Sequence, residues 1–278
     1  MEGKKTIGYL GPLGTFCEIA AETVYPNQHL CPYPNIISVI KAVAWGSLDG
    51  GILPMENLLE GTVIPVLDGL TNYPEVKISG ELIIPIRHCL LAHPGKNINE
   101  ITAVLSHSHA LAQCREFLDK QFPSLPRHSV PSTAEAARRV ALELNACAAI
   151  GNKRAAQIYR LHILAEDIGD TQQNFTRFIV ISKEIPTPSK KNKTSIAISL
   201  EHKPGSLAGL LNLFAQAGIN LTKIESRPSR KIMGEYIFYV DFEGHIYEEK
   251  IINILEKAEQ YASHLTVMGS YGEIKSLG

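Results

Sequence analysis

The segment from Lys183 to Lys193, K-E-I-P-T-P-S-K-K-N-K, decides how this chain is organised. It contains two prolines and places four lysines around a single glutamate. This polar, proline-containing composition is typical of an exposed linker. The sequence on its two sides follows different patterns of strands and helices. We therefore predict a first part that ends before residue 184 and a second part that begins at residue 194.

The first part alternates strand-like and helix-like segments. A short apolar run at Thr6–Leu10 is followed by a helical pattern at Phe16–Tyr25, and a later helix is expected at Thr133–Leu144. An apolar run at Phe178–Ser182 closes this part. Such alternation predicts an α/β fold with a parallel or mixed sheet covered by helices. In these folds ligands bind beyond the carboxyl ends of the strands, where helices begin.

The second part has the order β-α-β-β-α-β, which is the ferredoxin-like pattern. Its strands show alternation of apolar side chains, as in Ile196, Ile198 and Leu200, which share one face. The expected strands are Ser195–Leu200, Asn220–Ser226, Glu235–Asp241 and Leu265–Ser270. The expected helices are Ser206–Ala217 and Tyr247–Gln260.

Composition and charge exclude several classes of function. The chain has 27 Lys plus Arg against 28 Asp plus Glu, a net charge of -1, so it has no basic excess for a nucleic-acid backbone. No apolar run approaches the roughly 18 residues that a membrane span needs. The first five residues lead straight into a strand-like segment without a signal-peptide core. We expect a cytoplasmic protein that binds neither nucleic acid nor membrane.

Cysteine and histidine usage gives no support for a metal site or a disulfide framework. The five cysteines are separated widely along the chain, and no two of them form a C-x-x-C pair. The ten histidines include no H-E-x-x-H spacing. We therefore expect free thiols and neither a metal nor a cofactor.

Three junctions between strands and helices are rich in small polar residues: Gly11–Thr15, Ser106–His109 and Ser132–Thr133. Backbone N–H groups at the start of a helix attract anions, so several such junctions around one cleft would suit a ligand with carboxylates. Ordinary helix capping without any ligand is the alternative interpretation for each junction.

Two further segments carry side chains suited to chemistry. Glu56 and Asn57 follow a buried strand candidate, where a carboxylate and an amide can orient a substrate or hold a proton. The run N-F-T-R-F at residues 174–178 places two rings around a hydroxyl and a guanidinium. Thr176 can donate a hydrogen bond, and Arg177 can hold a carboxylate through two parallel hydrogen bonds. A plain turn and an ordinary strand start remain the alternatives.

Five segments in the same order resemble the prephenate dehydratase family. They are I-G-Y-L-G-P-L-G-T-F, P-M-E-N-L-L-E-G-T-V, S-H-S-H-A-L-A-Q-C, S-T-A-E-A-A and N-F-T-R-F. The resemblance implies two α/β lobes that close on a cleft, like a type 2 periplasmic binding protein. It also implies conversion of prephenate to phenylpyruvate, CO2 and water by a carbon-oxygen lyase of phenylalanine biosynthesis. The chain would cross between the lobes near Gly80–Pro85 and again before Asn174.

These segments supply the candidate site residues. Thr176 is the candidate catalytic residue, since it can donate a hydrogen bond to the departing oxygen. The candidate substrate-binding residues are Thr15, Glu56, Asn57, Ser106, His107, His109, Ser132, Thr133, Asn174, Phe175, Arg177 and Phe178. Phe175 and Phe178 are expected to wall the cleft against water.

The second part resembles the ACT domain of the same family. Its P-G-S-L-A segment stands where the family has a G-A-L-V-like loop, and its E-S-R-P segment matches unchanged. The resemblance implies binding of L-phenylalanine as a feedback effector at the interface of a homodimer or tetramer. The implied effector-binding residues are Gly205, Ser206, Leu207, Ala208, Glu225, Ser226, Arg227 and Pro228.

Some positions depart from the family pattern. Leu58 replaces a small hydroxyl residue, and Ser108 replaces a proline. His109 replaces a glutamine, so it either acts as the donor instead or leaves that contact vacant. Ala208 replaces a bulkier aliphatic residue, which leaves the preference of the effector site open.

Two other functions stay open at this point. Arogenate dehydratase performs the same chemistry on the aminated substrate, and a non-catalytic small-molecule sensor could use the same two-part organisation. The expected boundaries are a catalytic domain at 1–183, a linker at 184–193 and an ACT domain at 194–278. Within the catalytic domain we expect one lobe at about 1–80 plus 174–183 and the other at about 81–173.

Overall fold

A computed structural model of the chain describes residues 3–142, 146–201, 203–229 and 235–274. The described residues form two compact units, and each unit is assembled from separated segments of the chain. Unit 1 takes its residues from the ranges 1–35, 56–62 and 83–178. Unit 2 takes its residues from the ranges 36–55, 63–82 and 179–278.

Helices and strands alternate along the chain. The helices are α1 (Phe16–Val24), α2 (Ile36–Ala44), α3 (Ile64–Asn72), α4 (Ser108–Gln113), α5 (Arg115–Gln121), α6 (Thr133–Leu142), α7 (Lys153–Tyr159), α8 (Ser206–Gln216) and α9 (Glu249–Glu259). The strands are β1 (Thr6–Leu10), β2 (His29–Tyr33), β3 (Gly50–Asn57), β4 (Gly61–Thr62), β5 (Lys77–Pro85), β6 (Cys89–Ala92), β7 (Ala103–Ser106), β8 (Arg127–Ser129), β9 (Cys147–Gly151), β10 (His162–Ala165), β11 (Phe175–Ser182), β12 (Asn192–Leu200), β13 (Leu221–Pro228), β14 (Tyr236–Glu243) and β15 (Ala262–Gly272). No helix in the described part of the chain is long and apolar enough to cross a membrane.

Unit 1 contains a five-stranded sheet with the order β10-β6-β9-β7-β8. Every residue of β6 is buried, because successive side chains point to opposite faces and both faces are covered. Cys89 and Leu91 pack with residues of α6 and α7. Leu90 and Ala92 pack in a second cluster with residues of α4 and α5. This sheet with helices on both faces is the α/β arrangement that the sequence predicts.

Two smaller pieces complete unit 1. Strand β1 pairs in parallel with β2, and α1 connects them. The end of β3 forms a short hairpin with β4, in which Glu56 lies opposite Thr62. The backbone N–H of Leu58 donates to the carbonyl of Phe175 (2.9 Å). These pieces bring residues 56–62 and 174–178 together within one unit.

Unit 2 contains the β-α-β-β-α-β arrangement formed by β12, α8, β13, β14, α9 and β15. These strands lie in the order β13-β14-β12-β15, which confirms the ferredoxin-like pattern. Phe214 of α8 and Ile251 of α9 belong to the same buried cluster as Phe242 of β14. The two helices therefore cover one face of the sheet. Strand β13 lies at the edge of the sheet, because it is the last strand in this order.

The ferredoxin-like strands of unit 2 continue into strands from earlier in the chain. Beyond β15 the sheet path runs through β5 and β11 to β3. Lys193 Nζ contacts Glu81 Oε1 at 2.6 Å, and the hydroxyls of Thr71 and Tyr239 lie 3.0 Å apart. The C-terminal part of the chain thus packs on residues 63–82 inside one compact unit.

The structure differs from the sequence prediction at several elements. Strand β2 and helix α2 were not expected, because β2 contains Pro32 and α2 is apolar around most of its surface. Strand β11 begins at Phe175, three residues before the predicted start. Helices α4 and α5 follow one another directly and are divided at Cys114. The helix predicted to Leu144 is described to Leu142, and residues 143–145 lie outside the described part.

Gly269 is where β15 pairs with β5, and its substitution should destabilise unit 2. It pairs with Ile78, and a Cβ atom at Gly269 would lie 2.2 Å from the Ile78 carbonyl oxygen. We expect Gly269→Ala to lower the free energy of unfolding by about 3 kcal/mol or more, because a backbone atom cannot move aside as a side chain can. Urea unfolding measures this. Gly3→Ala is the control, because nothing but its chain neighbours lies within 4 Å of the Cβ atom that it adds. Equal stability of the two variants would contradict the prediction.

Candidate active site

Asn57 lies at the end of β3, and its side-chain amide is held in one orientation. Its Oδ1 accepts hydrogen bonds from the backbone N–H groups of Leu59 (3.0 Å) and Glu60 (3.1 Å). The Nδ2 group therefore points the other way, and it donates to Asn174 Oδ1 (2.8 Å) and Thr176 Oγ1 (2.9 Å). The turn after β3 thus determines which atom of Asn57 meets Thr176.

The Thr176 hydroxyl is buried, with 7% of the residue exposed. A hydroxyl carries one donor and two acceptor positions. Because Oγ1 already accepts a hydrogen bond from Asn57 Nδ2, the O–H of Thr176 points away from Asn57. This arrangement suits a side chain that donates a hydrogen bond to an oxygen of a ligand.

The next residues of β11 alternate between two faces. Phe175 and Arg177 share one face, whereas Thr176 and Phe178 share the other, since a strand has a side-chain period of two. Arg177 NH1 lies 3.8 Å from Glu56 Oε2. Phe178 is 1% exposed within the core, whereas Phe175 is 37% exposed. The expectation that both rings wall one cleft is therefore wrong, because residues three apart on a strand face opposite sides.

Gln113 joins the parts of this hydrogen-bond network. Its Oε1 accepts a hydrogen bond from Asn174 Nδ2 (3.0 Å) and lies 3.0 Å from His88 Nε2. Its Nε2 donates to Glu60 Oε1 (2.8 Å). The sequence prediction missed both Gln113 and His88. Gln113 lies inside the S-H-S-H-A-L-A-Q-C segment, which was a usable signal, whereas His88 lies in an apolar run that gave none.

His88 is buried beside the network, with 4% of the residue exposed. Its ring meets the edge of Phe16 at a centroid distance of 6.1 Å. Burial lowers the pKa of His88 below its ordinary value, and the hydrogen bond with Gln113 opposes this shift. Its Nδ1 has no hydrogen-bond partner in the described part of the chain. The neutral imidazole is therefore the form that this environment favours.

His109 lies at the open side of the network. Its Nδ1 is 3.2 Å from Glu60 Oε2, so both oxygens of Glu60 have partners. The ring of His107 packs edge-on against His109, and burial and His109 lower the pKa of His107. His109, which replaces the glutamine of the family pattern, therefore contacts the same Glu60 carboxylate as Gln113 does.

The remaining candidate hydroxyls form local hydrogen bonds. Thr15 Oγ1 caps α1 by accepting from the N–H of Glu18 (3.3 Å), and it donates to the Leu10 carbonyl. Ser106 Oγ donates to the Ile150 carbonyl (2.8 Å). Ser132 Oγ caps α6, which begins at Thr133. For Thr15 and Ser132 the structure shows the helix capping that was the alternative interpretation, whereas Ser106 contacts a neighbouring strand. The substrate contacts of all three residues stay predictions.

A small pocket opens beside His88, Gln113 and Asn174. Arg87 also lines it, is 41% exposed at its side chain, and lies 3.9 Å from Asp167. The other lining residues are Leu59, Ile86, Asp167, Gly169, Thr171 and Gln172. The pocket therefore combines a guanidinium with the amide network that leads to Thr176.

The predicted effector segments lie in unit 2. Ser206 and Leu207 line a pocket with Leu200, Tyr236 and Phe238. Glu201 and Lys203 also line it. The second segment, Glu225–Pro228, lies next to this pocket through strand pairing. Its Ser226 pairs with Phe238 and its Pro228 with Tyr236, and both partners line the pocket. The buried Ser206 Oγ has no hydrogen-bond partner in the described residues.

Arg227 takes a different place from the other effector candidates. It is 8% exposed, and its NH2 lies 3.8 Å from Asp68 Oδ1 of α3. Arg227 is not among the residues that line the pocket. Its expected contact with an effector therefore stays a prediction.

Comparisons with known proteins agree with this organisation. A family model described as prephenate dehydratase matches residues 7–186, and one described as ACT domain matches residues 194–260. Arogenate dehydratase/prephenate dehydratase 2 of Arabidopsis thaliana is 43% identical over 277 residues, which cover 95% of this chain and 72% of that protein. Prephenate dehydratase of Methanocaldococcus jannaschii is 39% identical over 275 residues, which cover 96% of this chain and 98% of that protein.

A solved structure extends the likeness to three dimensions. The crystal structure of prephenate dehydratase from Arthrobacter aurescens in complex with L-Phe has a TM-score of 0.90 with this chain at 34% identity. The match covers 96% of this chain and 89% of that one. The resemblance inferred from five sequence segments is thus confirmed over nearly the whole length. This chain belongs to the prephenate dehydratase family and carries the family's ACT domain after its dehydratase part.

Proposed function

We propose that this protein converts prephenate to phenylpyruvate, CO2 and water. The observation that carries the proposal is the contact between Asn57 Nδ2 and Thr176 Oγ1, which leaves the Thr176 O–H to donate elsewhere. Family membership supports the same reaction, because N-F-T-R-F and the segment with Asn57 stand within the matched residues. Thr176 is the proposed catalytic residue.

The reaction asks little of the protein beyond positioning and charge stabilisation. Prephenate loses CO2 from C1 and hydroxide from C4, and formation of the aromatic ring supplies the driving force. A threonine hydroxyl is too weak an acid to keep the negative charge. Thr176 therefore stabilises the charge that develops on the departing oxygen, or relays a proton to it from water. No metal or cofactor enters this proposal.

Carboxylate binding is the second task in this proposal. Arg87 faces the pocket beside His88 and Gln113, and its contact with Asp167 is long at 3.9 Å. We propose that it attracts a substrate carboxylate. Arg177 is the other candidate, and its position near Glu56 makes it a support for the hairpin as much as a ligand group. An overly tight grip on the C1 carboxylate would oppose decarboxylation.

Arogenate is the second candidate substrate, because the Arabidopsis thaliana relative is named for both arogenate and prephenate. The two substrates differ in an amino against a keto group, and one assay of the purified chain with each substrate separates them. We expect phenylpyruvate from prephenate with the higher kcat/KM. Phenylalanine from arogenate as the faster reaction would reverse the preference. No turnover of either would favour the sensor interpretation.

We also propose that L-phenylalanine is an allosteric effector that binds the ACT domain. The relative from Arthrobacter aurescens was crystallised with L-Phe. The pocket near Ser206 combines apolar walls with a glutamate and a lysine, which suits an amino acid with one apolar side chain. Inhibition then follows from tighter binding of phenylalanine to a less active form.

A homo-oligomer and a cytoplasmic location complete the proposal. Strand β13 is an edge strand whose Ile224 is 47% exposed, and pairing with a second copy would cover such an edge. Analytical ultracentrifugation of the full chain would distinguish a dimer from a tetramer. The five cysteines are all free, as expected for a protein in a reducing compartment.

A further inference from the structure

The amides around Thr176 form a chain in which each orientation determines the next. Backbone N–H groups fix Asn57 Oδ1, so Asn57 Nδ2 must donate to Asn174 Oδ1. Asn174 Nδ2 must then donate to Gln113 Oε1. An amide oxygen offers only lone pairs, so a second group at Gln113 Oε1 must also be a donor. That second group is His88 Nε2, at 3.0 Å.

The Gln113 oxygen determines the tautomer of His88. If Nε2 carries the proton, it donates to Gln113 Oε1, and Nδ1 keeps an unshared lone pair. If Nδ1 carried the proton, two lone pairs would face each other at 3.0 Å, and the Nδ1–H group would be buried without an acceptor in the described part of the chain. The neutral form with the proton on Nε2 is therefore the form that satisfies the network.

We propose that His88 is a positioning residue that fixes the side-chain amide of Gln113 in one of its two orientations. With Oε1 held by His88 and Asn174, the Gln113 Nε2 group must face Glu60, where it donates at 2.8 Å. Without the donor from His88, the amide loses one of the three contacts that distinguish its oxygen from its nitrogen. Asn174 then loses its fixed partner, and its Oδ1, which accepts from Asn57 Nδ2 beside Thr176, loses its alignment.

The inference rests on the proposed dehydratase function, so its test has one arm that does not depend on activity. In the wild-type chain, 15N NMR of histidine-labelled protein at pH 7.5 should show the signal of a neutral histidine with the proton on Nε2. The absence of this signal from His88→Gln assigns it to His88. A proton on Nδ1, or an imidazolium signature, would overturn the inference. The neutral Nε2–H form supports it even in a chain that turns over no substrate.

The kinetic arm compares two substitutions at the same site. His88→Phe keeps a planar ring without a donor, and we expect it to lower kcat on prephenate about ten- to hundredfold, while KM changes by less than about threefold. His88→Gln places an amide N–H near the Nε2 position and should restore kcat to within about fivefold of the wild type. The same two substitutions at His128, which is exposed on β8, should leave kcat unchanged.

Each kinetic outcome bears on a different claim. A wild-type kcat in His88→Phe would overturn the inference, and so would a folded His88→Gln as slow as His88→Phe. If His88→Phe fails to fold, the NMR signal of His88 and the kcat of His88→Gln test whether His88 orients Gln113. Absence of turnover by the wild type would overturn the proposed function, and the tautomer would still show whether His88 orients Gln113.

Discussion

Thr176→Ala should lower kcat on prephenate by a factor of about ten to a thousand, which is the range for loss of one transition-state donor. The Michaelis constant should change little, because the hydrogen bond strengthens only as charge develops on the departing oxygen. The structure makes the expectation specific: Oγ1 is occupied as an acceptor by Asn57 Nδ2, and the O–H is left for the ligand. Steady-state kinetics on the purified chain measures both constants.

Two further variants separate the hydroxyl of Thr176 from its bulk. Thr176→Val keeps the shape of the side chain and should be as slow as Thr176→Ala, whereas Thr176→Ser keeps the hydroxyl and should retain most of the rate. Thr23→Ala is the matched control, since it removes a hydroxyl of α1 that donates to the Ile19 carbonyl. A kcat for Thr176→Val within about twofold of the wild type would remove Thr176 from the mechanism.

Much of the fold could be predicted from local pattern. Strand β1 begins and ends where the apolar run predicts, and the order of elements in the ACT domain follows from alternation in segments such as Ile196–Leu200. Ser132 caps α6 as the sequence indicates. These features depend on neighbours within a few residues, so one sequence is enough to find them.

The features that the sequence did not predict depend on contacts between distant segments. His88 lies in an apolar run, and its partner Gln113 is 25 residues away. Thr176 and Arg177 face opposite sides because β11 already begins at Phe175. The sequence did not predict this start, since it depends on pairing with β5 and β3, which come from distant parts of the chain. The packing of the C-terminal strands against residues 63–82 also has no local signal, because it joins two parts that a linker separates in sequence.

That packing affects how regulation is best tested. Removing all residues after Lys190 should give a fragment without phenylalanine control, but it would also uncover the side of β5 that meets Gly269. A single substitution in the full chain avoids this change. Leu207 lines the proposed effector pocket, and Leu207→Arg would place a charge against its apolar walls.

We expect Leu207→Arg to raise the phenylalanine concentration for half-inhibition about a hundredfold, which corresponds to about 2.8 kcal/mol of binding free energy. The uninhibited kcat should stay within about twofold of the wild type, because the substitution lies outside the amide network around Thr176. Asn212→Arg adds the same charge at an exposed position of α8 that does not line the pocket, and it should be inhibited like the wild type. Calorimetry with phenylalanine separates lost binding from lost coupling. If Leu207→Arg melts like the wild type and is still inhibited at wild-type concentrations, the effector binds elsewhere, because the long charged side chain replaces an apolar wall of the pocket that the ring of phenylalanine would contact.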